Sequence, residues 1–250
     1  FKVRGGLVYM KALREREPQV RGVISATRGN HGQSIAFAAA RHGLAATIIV
    51  PHGNSVEKNA AMRALGAELI EQGDDFQAAR EHAAALAQQR GLHFVPSFHR
   101  DLVLGVATYW VEFFKAVQPD VVFVPIGMGS GICACAVARA LTGVPTRIVG
   151  VVSAHATAYR DAFLSGQIAE APVTTRLADG MACRLPDADA LAIIRREVDE
   201  VLTVSDDEVA AAMRLLYTAT HNVAEGAGAA SLAAAMQQRE RWRGRRIGVT

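Results

Sequence analysis

Two glycine-containing turns, each placed directly after an apolar stretch, have the composition of an anion-binding site. The first is Ser25-Ala-Thr-Arg-Gly-Asn-His-Gly32, and the second is Val124-Pro-Ile-Gly-Met-Gly-Ser-Gly131. A turn between a strand and a helix directs backbone N–H groups and the positive end of the helix toward one place. A carboxylate or a phosphate fits there, although an ordinary strand-to-helix connection can look the same. The second turn lacks the spacing of dinucleotide sites and of P-loops.

A lysine close to the start of the chain forms a third segment that could do chemistry. The chain has only four lysines, at positions 2, 11, 58 and 115, so each is worth inspecting. Lys2 lies in Phe1-Lys-Val-Arg-Gly-Gly6. Alone this segment says little, because a lysine near a terminus is usually solvated. The histidines other than His31 show no metal-binding spacing, and no pair of catalytic carboxylates is apparent.

Strands and helices alternate along the chain and place both turns at the ends of strands. Hydrophobic periodicity predicts strands near 22–26, 46–50, 67–71, 92–95, 120–124, 147–152, 200–204 and 246–249. It predicts helices over 32–42, 55–65, 74–90, 102–116, 187–197, 205–218 and 226–237, and a further helix that follows the second turn and ends at 141. The chain between the strand 147–152 and residue 184 is predicted to be irregular. This alternation is typical of parallel sheets with helices on both faces. The segment 96–101 is the best boundary between two α/β lobes.

The composition excludes several classes of protein. With 250 residues, of which 50% are hydrophobic and 20% charged, the chain can bury a core and is not disordered. Its formal net charge of +3 gives no reason to expect nucleic acid or an anionic membrane as a partner. Three cysteines are too few for a disulfide framework or a zinc cluster. The uncharged stretch 121–138 contains Pro125 and three glycines, which argues against a membrane span.

Together the three segments resemble the serine/threonine dehydratase family of pyridoxal 5′-phosphate (PLP) enzymes, which have the tryptophan synthase β-like fold (fold type II). That family carries a Ser-Phe-Lys-x-Arg-Gly motif, an asparagine loop ending in Gly-Asn-His-Gly, and a glycine-rich phosphate loop. The corresponding segments here are residues 1–5, 28–33 and 127–131. Ala178-Asp-Gly180 and Glu225-Gly-Ala-Gly228 match two further family motifs. Order and spacing agree over essentially the whole chain.

The resemblance implies a two-lobed α/β fold in which each lobe is a largely parallel twisted sheet flanked by helices. Residues 1–14 and 100–250 would form a large, discontinuous PLP-binding domain. Residues 15–99 would form a small domain that carries the asparagine loop. By comparison with the family, we expect the N-terminal part of the larger lobe to be missing before Phe1. We also expect the partner of the pyridine nitrogen, a serine in the family, to follow Thr250.

The resemblance also implies roles for individual residues. Lys2 would form the Schiff base with the PLP aldehyde and then act as the base at the substrate Cα. Phe1 would pack on the cofactor ring, and Asn30 would hydrogen-bond the ring hydroxyl. The residues expected to bind the phosphate are Gly127, Met128, Gly129, Ser130 and Gly131. The residues of the loop expected to hold the substrate carboxylate are Thr27, Arg28, Gly29 and His31. Gly180 would contact the cofactor through its backbone, and Glu225 would lie near the pyridine ring.

Two departures from the family pattern bear on function. Relatives with racemase activity carry a serine where this chain has Arg28, and a guanidinium is a poor proton donor because its pKa lies above about 12. We therefore expect dehydration with little racemisation, and Arg28 could instead bind an acidic group of the substrate. Relatives that bind Ca²⁺ or Mg²⁺ use a glutamate and an aspartate where this chain has Val152 and Ala158. Hard cations need oxygen ligands, so we expect no metal at that site.

The function implied is that of a PLP-dependent carbon–oxygen lyase of amino-acid metabolism. Such a threonine dehydratase-like ammonia-lyase converts a small β-hydroxy amino acid, of the threonine or serine type, to a 2-oxo acid and ammonia by β-elimination. One alternative is a dehydratase for hydroxy-aspartate or for an intermediate of hydroxyectoine breakdown. Others are a serine racemase-like enzyme and an inactive PLP-binding relative. We expect a small amino-acid substrate, no nucleic-acid or membrane partner, a cytoplasmic location and a homodimer.

Overall fold

Two parallel sheets organise the chain. The computed structural model describes all residues from Phe1 to Thr250, which divide into two compact units, Phe1–Val106 and Ala107–Thr250. Each unit contains one four-stranded sheet in which all neighbouring strands are parallel. The predicted fold class, an α/β chain with two parallel sheets flanked by helices, is therefore confirmed.

The first unit is built on a sheet with the strand order β3-β2-β1-β4. Its strands are β1 (Gly22–Ala26), β2 (Ala45–Val50), β3 (Glu68–Glu71) and β4 (His93–Phe94). Its helices are α1 (Lys2–Arg16), α2 (Asn30–Arg41), α3 (Val56–Ala64), α4 (Phe76–Arg90) and the first turns of α5 (Arg100–Ala116). Strand β1 is buried along its whole length, as expected for a strand covered by helices on both faces.

Apolar side chains fill both faces of this first sheet. Val23 and Ile24 are neighbours in β1 and point into different clusters, because side chains alternate along a strand. Val23 packs with Leu13 of α1 and Ile35 of α2 on one face. Ile24 packs with alanines of α4, such as Ala83, on the other face. These contacts hold α1 and α2 together on the same face of the sheet.

The second unit is built on a sheet with the strand order β7-β6-β5-β8. Its strands are β5 (Val121–Pro125), β6 (Arg147–Ser153), β7 (Glu200–Val204) and β8 (Ile247–Val249). Its helices are the rest of α5, then α6 (Ser130–Thr142), α7 (Ala158–Ser165), α8 (Ala188–Glu197), α9 (Asp206–Thr220) and α10 (Gly226–Gln237). A single 3-10 turn covers Asp179–Met181. Small residues of α10, such as Ala230 and Ala234, share a core with Phe123 of β5.

Side-chain caps explain where several helices begin. Ser55 and Asp187 accept hydrogen bonds from backbone N–H groups in the first turns of α3 and α8. Ser205 and Glu208 form the capping box predicted for α9. Each cap satisfies a backbone donor that has no partner within the helix. The predicted helix and strand limits agree with the structure to within two residues wherever both exist.

Two helices were not predicted from the sequence. Helix α1 contains Gly5 and Gly6, which are poor helix formers, so the periodicity gave no helical signal there. Helix α7 lies within the segment that we expected to be irregular. It has only eight residues, and its N-cap residue Thr157 makes no capping hydrogen bond through its side chain. Both helices therefore depend on packing more than on local signals.

No helix of the chain combines the length and the apolar character needed to cross a membrane.

Candidate active site

Lys2 is the first residue of α1, and its backbone is hydrogen-bonded to α2. The Ser34 hydroxyl on α2 donates a hydrogen bond of 2.6 Å to the carbonyl oxygen of Lys2. A Cβ atom at Gly6 would collide with Ser34 Oγ and would lie 2.8 Å from the Ser34 carbonyl oxygen, so the glycine allows the two helices to approach. Burial lowers the pKa of Lys2 from 10.5 to about 8. A larger fraction of this amine is therefore neutral near pH 7 than in an exposed lysine.

The turn between β1 and α2 is shaped by Thr27. The Oγ1 atom of this buried residue accepts hydrogen bonds from the backbone N–H groups of Gly29 (2.9 Å) and Gly32 (3.2 Å). The N–H group of Thr27 donates to the carbonyl oxygen of Ile49 at 3.0 Å. These bonds fix the turn at the carboxyl end of β1, the edge of a parallel sheet where ligands usually bind.

His31 lies in the first turn of α2, and its buried side chain contacts the sheet. His31 Nε2 is 3.1 Å from Ser25 Oγ. Because the Ser25 hydroxyl donates to the carbonyl oxygen of Val95 at 2.8 Å, we assign the Nε2 proton to His31, which donates it to Ser25. Burial and, secondly, the charge on Lys2 lower the pKa of His31 from 6.5 to about 3. The imidazole is therefore neutral near pH 7.

Arg28 and Asn30 are the more exposed members of this turn. Asn30 is the first residue of α2 and is exposed. Arg28 is only partly exposed, and its Nε atom is shielded from solvent without a hydrogen-bond partner. The methylene groups of Lys58 lie against Gly29, since a Cβ atom at Gly29 would collide with Lys58 Cδ. Within the first unit, the turn thus carries the positive charge of Arg28 and the neutral imidazole of His31.

Phe1 lies beside the lysine that follows it. The Lys2 Nζ atom is 5.4 Å from the centroid of the Phe1 ring. Phe1 is 58% exposed, so much of its ring is open to solvent. Its packing on the cofactor ring stays a prediction.

The second turn joins β5 to α6 and has the form of an anion cradle. Gly129 precedes α6 with a φ of 93°, a left-handed conformation that residues with a Cβ atom seldom adopt. The first N–H groups of a helix have no acceptor within it, and the N-cap residue supplies none through a side chain. A Cβ atom at Gly129 would lie 2.7 Å from Ala190 Cβ, so this glycine fits the turn against α8, and the N–H groups at the start of α6 are the donors suited to an anion.

Two buried aromatic side chains, which the sequence analysis did not single out, hold the second turn. The Tyr159 hydroxyl on α7 donates to the carbonyl oxygen of Met128 at 3.1 Å and accepts from the N–H group of Asp187 at 3.1 Å. Trp110 Nε1 on α5 donates to the carbonyl oxygen of Gly131 at 3.2 Å. Tyr159 and Met128 are 31 residues apart in sequence. No local pattern could therefore have revealed their contact.

Gly180 and Glu225 lie beside the same turn. A Cβ atom at Gly127 would collide with the carbonyl oxygen of Gly180. A Cβ atom at Gly180 would in turn lie 4.0 Å from Glu225 Oε1, and Glu225 is the N-cap residue of α10. Three segments that are distant in sequence therefore meet within the second unit.

The whole chain, residues 1–250, matches the protein family described as pyridoxal-phosphate dependent enzyme. The chain therefore belongs to this family, and the expected cofactor, PLP, is the family's cofactor. This confirms the resemblance that the five sequence motifs indicated.

The chain is also similar to named members of this family. It is 38% identical to the L-threonine ammonia-lyase of Geobacter sulfurreducens over 242 residues, which cover 96% of this chain and 60% of that protein. It is 32% identical to the biosynthetic L-threonine dehydratase of Escherichia coli over 235 residues, covering 93% of this chain and 46% of that protein. The chain thus spans about half the length of these relatives. The structure of the processed form of threonine deaminase isoform 2 from Solanum lycopersicum superposes with a TM-score of 0.89 at 29% identity, covering 99% of this chain and 73% of that one.

The residues present fit PLP. An amine whose pKa is lowered to about 8 is suited to react with an aldehyde, because the neutral form is the nucleophile. The glycine-rich turn before α6 is suited to a phosphate, because the first N–H groups of a helix have no acceptor within it. The roles of the other predicted residues toward cofactor and substrate stay predictions.

The positions at which metal-binding relatives carry acids are apolar here. Val152 is buried in β6, and Ala158 is the buried first residue of α7. No group of three or more His, Cys, Asp and Glu side chains is arranged to hold a metal ion. The expectation that this position binds no metal stays a prediction.

Proposed function

We propose that this chain carries the catalytic residues of a PLP-dependent dehydratase, an ammonia-lyase acting on a small β-hydroxy amino acid. The observation that carries this proposal is the Lys2 amine. Burial lowers its pKa to about 8, and its backbone is bonded to the helix that begins at Asn30. The similarity to a threonine ammonia-lyase, a threonine dehydratase and a threonine deaminase supports the same reaction class.

In the proposed reaction, Lys2 and the first turn act on the substrate. PLP, when bound, supplies a ring that withdraws electrons from the substrate Cα. The neutral Lys2 amine accepts the Cα proton. The turn at the start of α2 binds the substrate carboxylate through the positive end of the helix. A Cα=Cβ bond forms as the Cβ–O bond breaks, and the hydroxyl leaves as water by taking up one proton, which offsets the proton that Lys2 accepted. The released enamine takes the imine form, and its hydrolysis by one water gives a 2-oxo acid and ammonia.

The remaining predicted residues hold the cofactor in this proposal. The backbone of residues 127–131 binds the phosphate, Asn30 hydrogen-bonds the ring hydroxyl, and Phe1 packs on the ring. Gly180 and Glu225 lie near the ring. Residues 1–14 and 100–250 form the PLP-binding domain, and residues 15–99 the small domain. We further propose a cytoplasmic homodimer.

Replacing Lys2 by alanine tests the proposal. We expect Lys2→Ala to lower 2-oxo acid formation from threonine and serine by at least about 100-fold, because the proton acceptor is lost. It should also abolish the covalent PLP label that borohydride fixes in the wild-type protein. Lys11→Ala changes an exposed lysine of the same helix and should preserve both properties. Unchanged turnover in Lys2→Ala, or a wild-type protein that takes up no PLP, would refute the proposal.

A further inference from the structure

Arg28 is a partly buried cation that lacks a counter-charge. Its Nε atom is shielded from solvent and donates no hydrogen bond. Three other arginines of the first unit do form ion pairs: Arg16 with Asp101, Arg63 with Glu71 and Arg90 with Glu68. A buried donor without an acceptor is costly and uncommon in folded proteins. Arg28 as a whole is partly exposed, so the outer Nη groups of its guanidinium can receive an acceptor from outside the chain.

The elements around this turn do not supply that acceptor. No Asp or Glu occurs between Glu17 and Glu57, a range that includes β1, α2 and β2. Glu57, at the start of α3, accepts a hydrogen bond from Ser55 at 3.0 Å. Glu71, at the end of β3, accepts from Asn59 and pairs with an arginine of α3. The carboxylates of the neighbouring elements are thus engaged elsewhere.

The chemistry of the guanidinium defines the missing acceptor. Its two Nη groups form a planar fork that matches the two oxygens of a carboxylate. The proposed function already assigns one substrate carboxylate to the donors of this turn and of α2. An arginine beside those donors offers a place for a second carboxylate on the same small molecule.

Resting on the proposed function, we propose that Arg28 binds a second carboxylate, one attached to the substrate Cβ. The preferred substrate is then a β-hydroxy amino acid of the 3-hydroxyaspartate type and not threonine or serine. The Cα proton passes to Lys2, the electron pair of the Cα–H bond forms a Cα=Cβ bond as the Cβ–O bond breaks, and the hydroxyl leaves as water by taking up one proton, so that Lys2 is neutral again at the end. The released enamine takes the imine form by moving one proton from nitrogen to Cβ. One water then hydrolyses the released imine, so the net products are a four-carbon 2-oxo diacid and ammonia.

Steady-state kinetics of the PLP-loaded full-length protein test this proposal. The substrates are 3-hydroxyaspartate, as separate threo and erythro isomers, and threonine. We expect wild-type kcat/KM to be higher for one 3-hydroxyaspartate isomer than for threonine. Arg28→Gln should lower kcat/KM for that isomer about 10- to 100-fold more than it lowers kcat/KM for threonine, as expected for losing a charge-assisted hydrogen bond that only the second carboxylate makes.

Two further variants separate the effect of the fork from that of charge. Arg28→Lys keeps the positive charge but loses the planar fork, so it should recover only part of the loss seen in Arg28→Gln. Arg21→Gln removes the same charge from an exposed arginine directly before β1, at the end of the strand opposite to the turn. It should leave both kcat/KM values unchanged. Equal losses on both substrates in Arg28→Gln would overturn the proposal, because Arg28 would then serve the common carboxylate.

Binding of non-reacting analogues makes the test independent of turnover. Aspartate and asparagine have the same shape and lack the β-hydroxyl, and they differ in the charge of the side chain. Calorimetry on the PLP-loaded protein should show about 10-fold tighter binding of aspartate, and Arg28→Gln should remove this difference. Equal affinities in the wild-type protein would overturn the proposal even if threonine is turned over. Preferential aspartate binding without turnover of any β-hydroxy amino acid would instead refute the proposed function.

Discussion

Burial controls the protonation of the two bases beside the first turn. It lowers the pKa of Lys2 to about 8 and that of His31 to about 3, because a poorly solvated site disfavours the charged form of a base. The charge on Lys2 lowers the pKa of His31 further. The imidazole therefore has a structural role near pH 7, as a neutral donor to Ser25. The lysine is the group that can exchange a proton in that range.

The rate at which cofactor-free protein captures PLP should depend on pH in a way that reports Lys2. Below its pKa of about 8 the amine is mostly protonated and unreactive. The rate should therefore rise about tenfold between pH 6 and pH 7 and level off above about pH 8. Stopped-flow absorbance at several pH values measures it. A rate that keeps rising to pH 10 would mean that Lys2 has an ordinary pKa.

At the scale of elements, the short helix α7 helps to position the glycine-rich turn before α6. Tyr159 connects the carbonyl oxygen of Met128 with the N–H group of Asp187 at the start of α8. The Tyr159 side chain is buried, so its phenol joins the two segments from within the second unit. The glycine-rich turn before α6 thus obtains its order from the helices around it.

Removing the hydroxyl of Tyr159 should weaken cofactor binding. Tyr159→Phe leaves two partly buried groups, the Met128 carbonyl and the Asp187 N–H group, without the phenol, which costs about 1–3 kcal/mol. We expect the dissociation constant for PLP, measured by fluorescence titration, to rise by about tenfold. Tyr217→Phe, at an exposed tyrosine of α9, provides the control. If Tyr159→Phe binds PLP as tightly as the control, the phenol does not hold the turn.

Local signals in the sequence predicted most elements because their ends carry local chemistry. The capping box Ser205–Glu208 and the left-handed Gly91 that ends α4 are examples. Helix α1 was not predicted because Gly5 and Gly6 are poor helix formers. Gly6 is needed for the close approach of α2. In the same way, motif spacing identified the residues of both turns. The bonds from Tyr159 and Trp110 to the second turn join distant segments and were beyond reach of any local pattern.

At the scale of the whole molecule, the small net charge agrees with local anion binding. The formal charge is +3, so the surface as a whole provides little long-range attraction. Backbone donors at the two turns can bind anions without a basic surface, since their dipoles are fixed by the fold.

Cofactor affinity should consequently depend only weakly on ionic strength. Salt screens exposed charges more strongly than donors within a turn. We expect the dissociation constant for PLP to change by less than about threefold between 50 and 500 mM NaCl. The same fluorescence titration, repeated at each salt concentration, measures this change. A tenfold or greater change would indicate that exposed arginines and lysines contribute to binding.

The hydrogen bond from Ser34 to the carbonyl oxygen of Lys2 has a consequence for exchanging parts between related enzymes. This bond and the close approach at Gly6 join the start of α1 to α2. A chimaera that takes only the turn and α2 from a relative would receive a helix surface matched to a different α1. A chimaera should therefore take the start of α1, with Lys2, and the turn with α2 from the same parent enzyme.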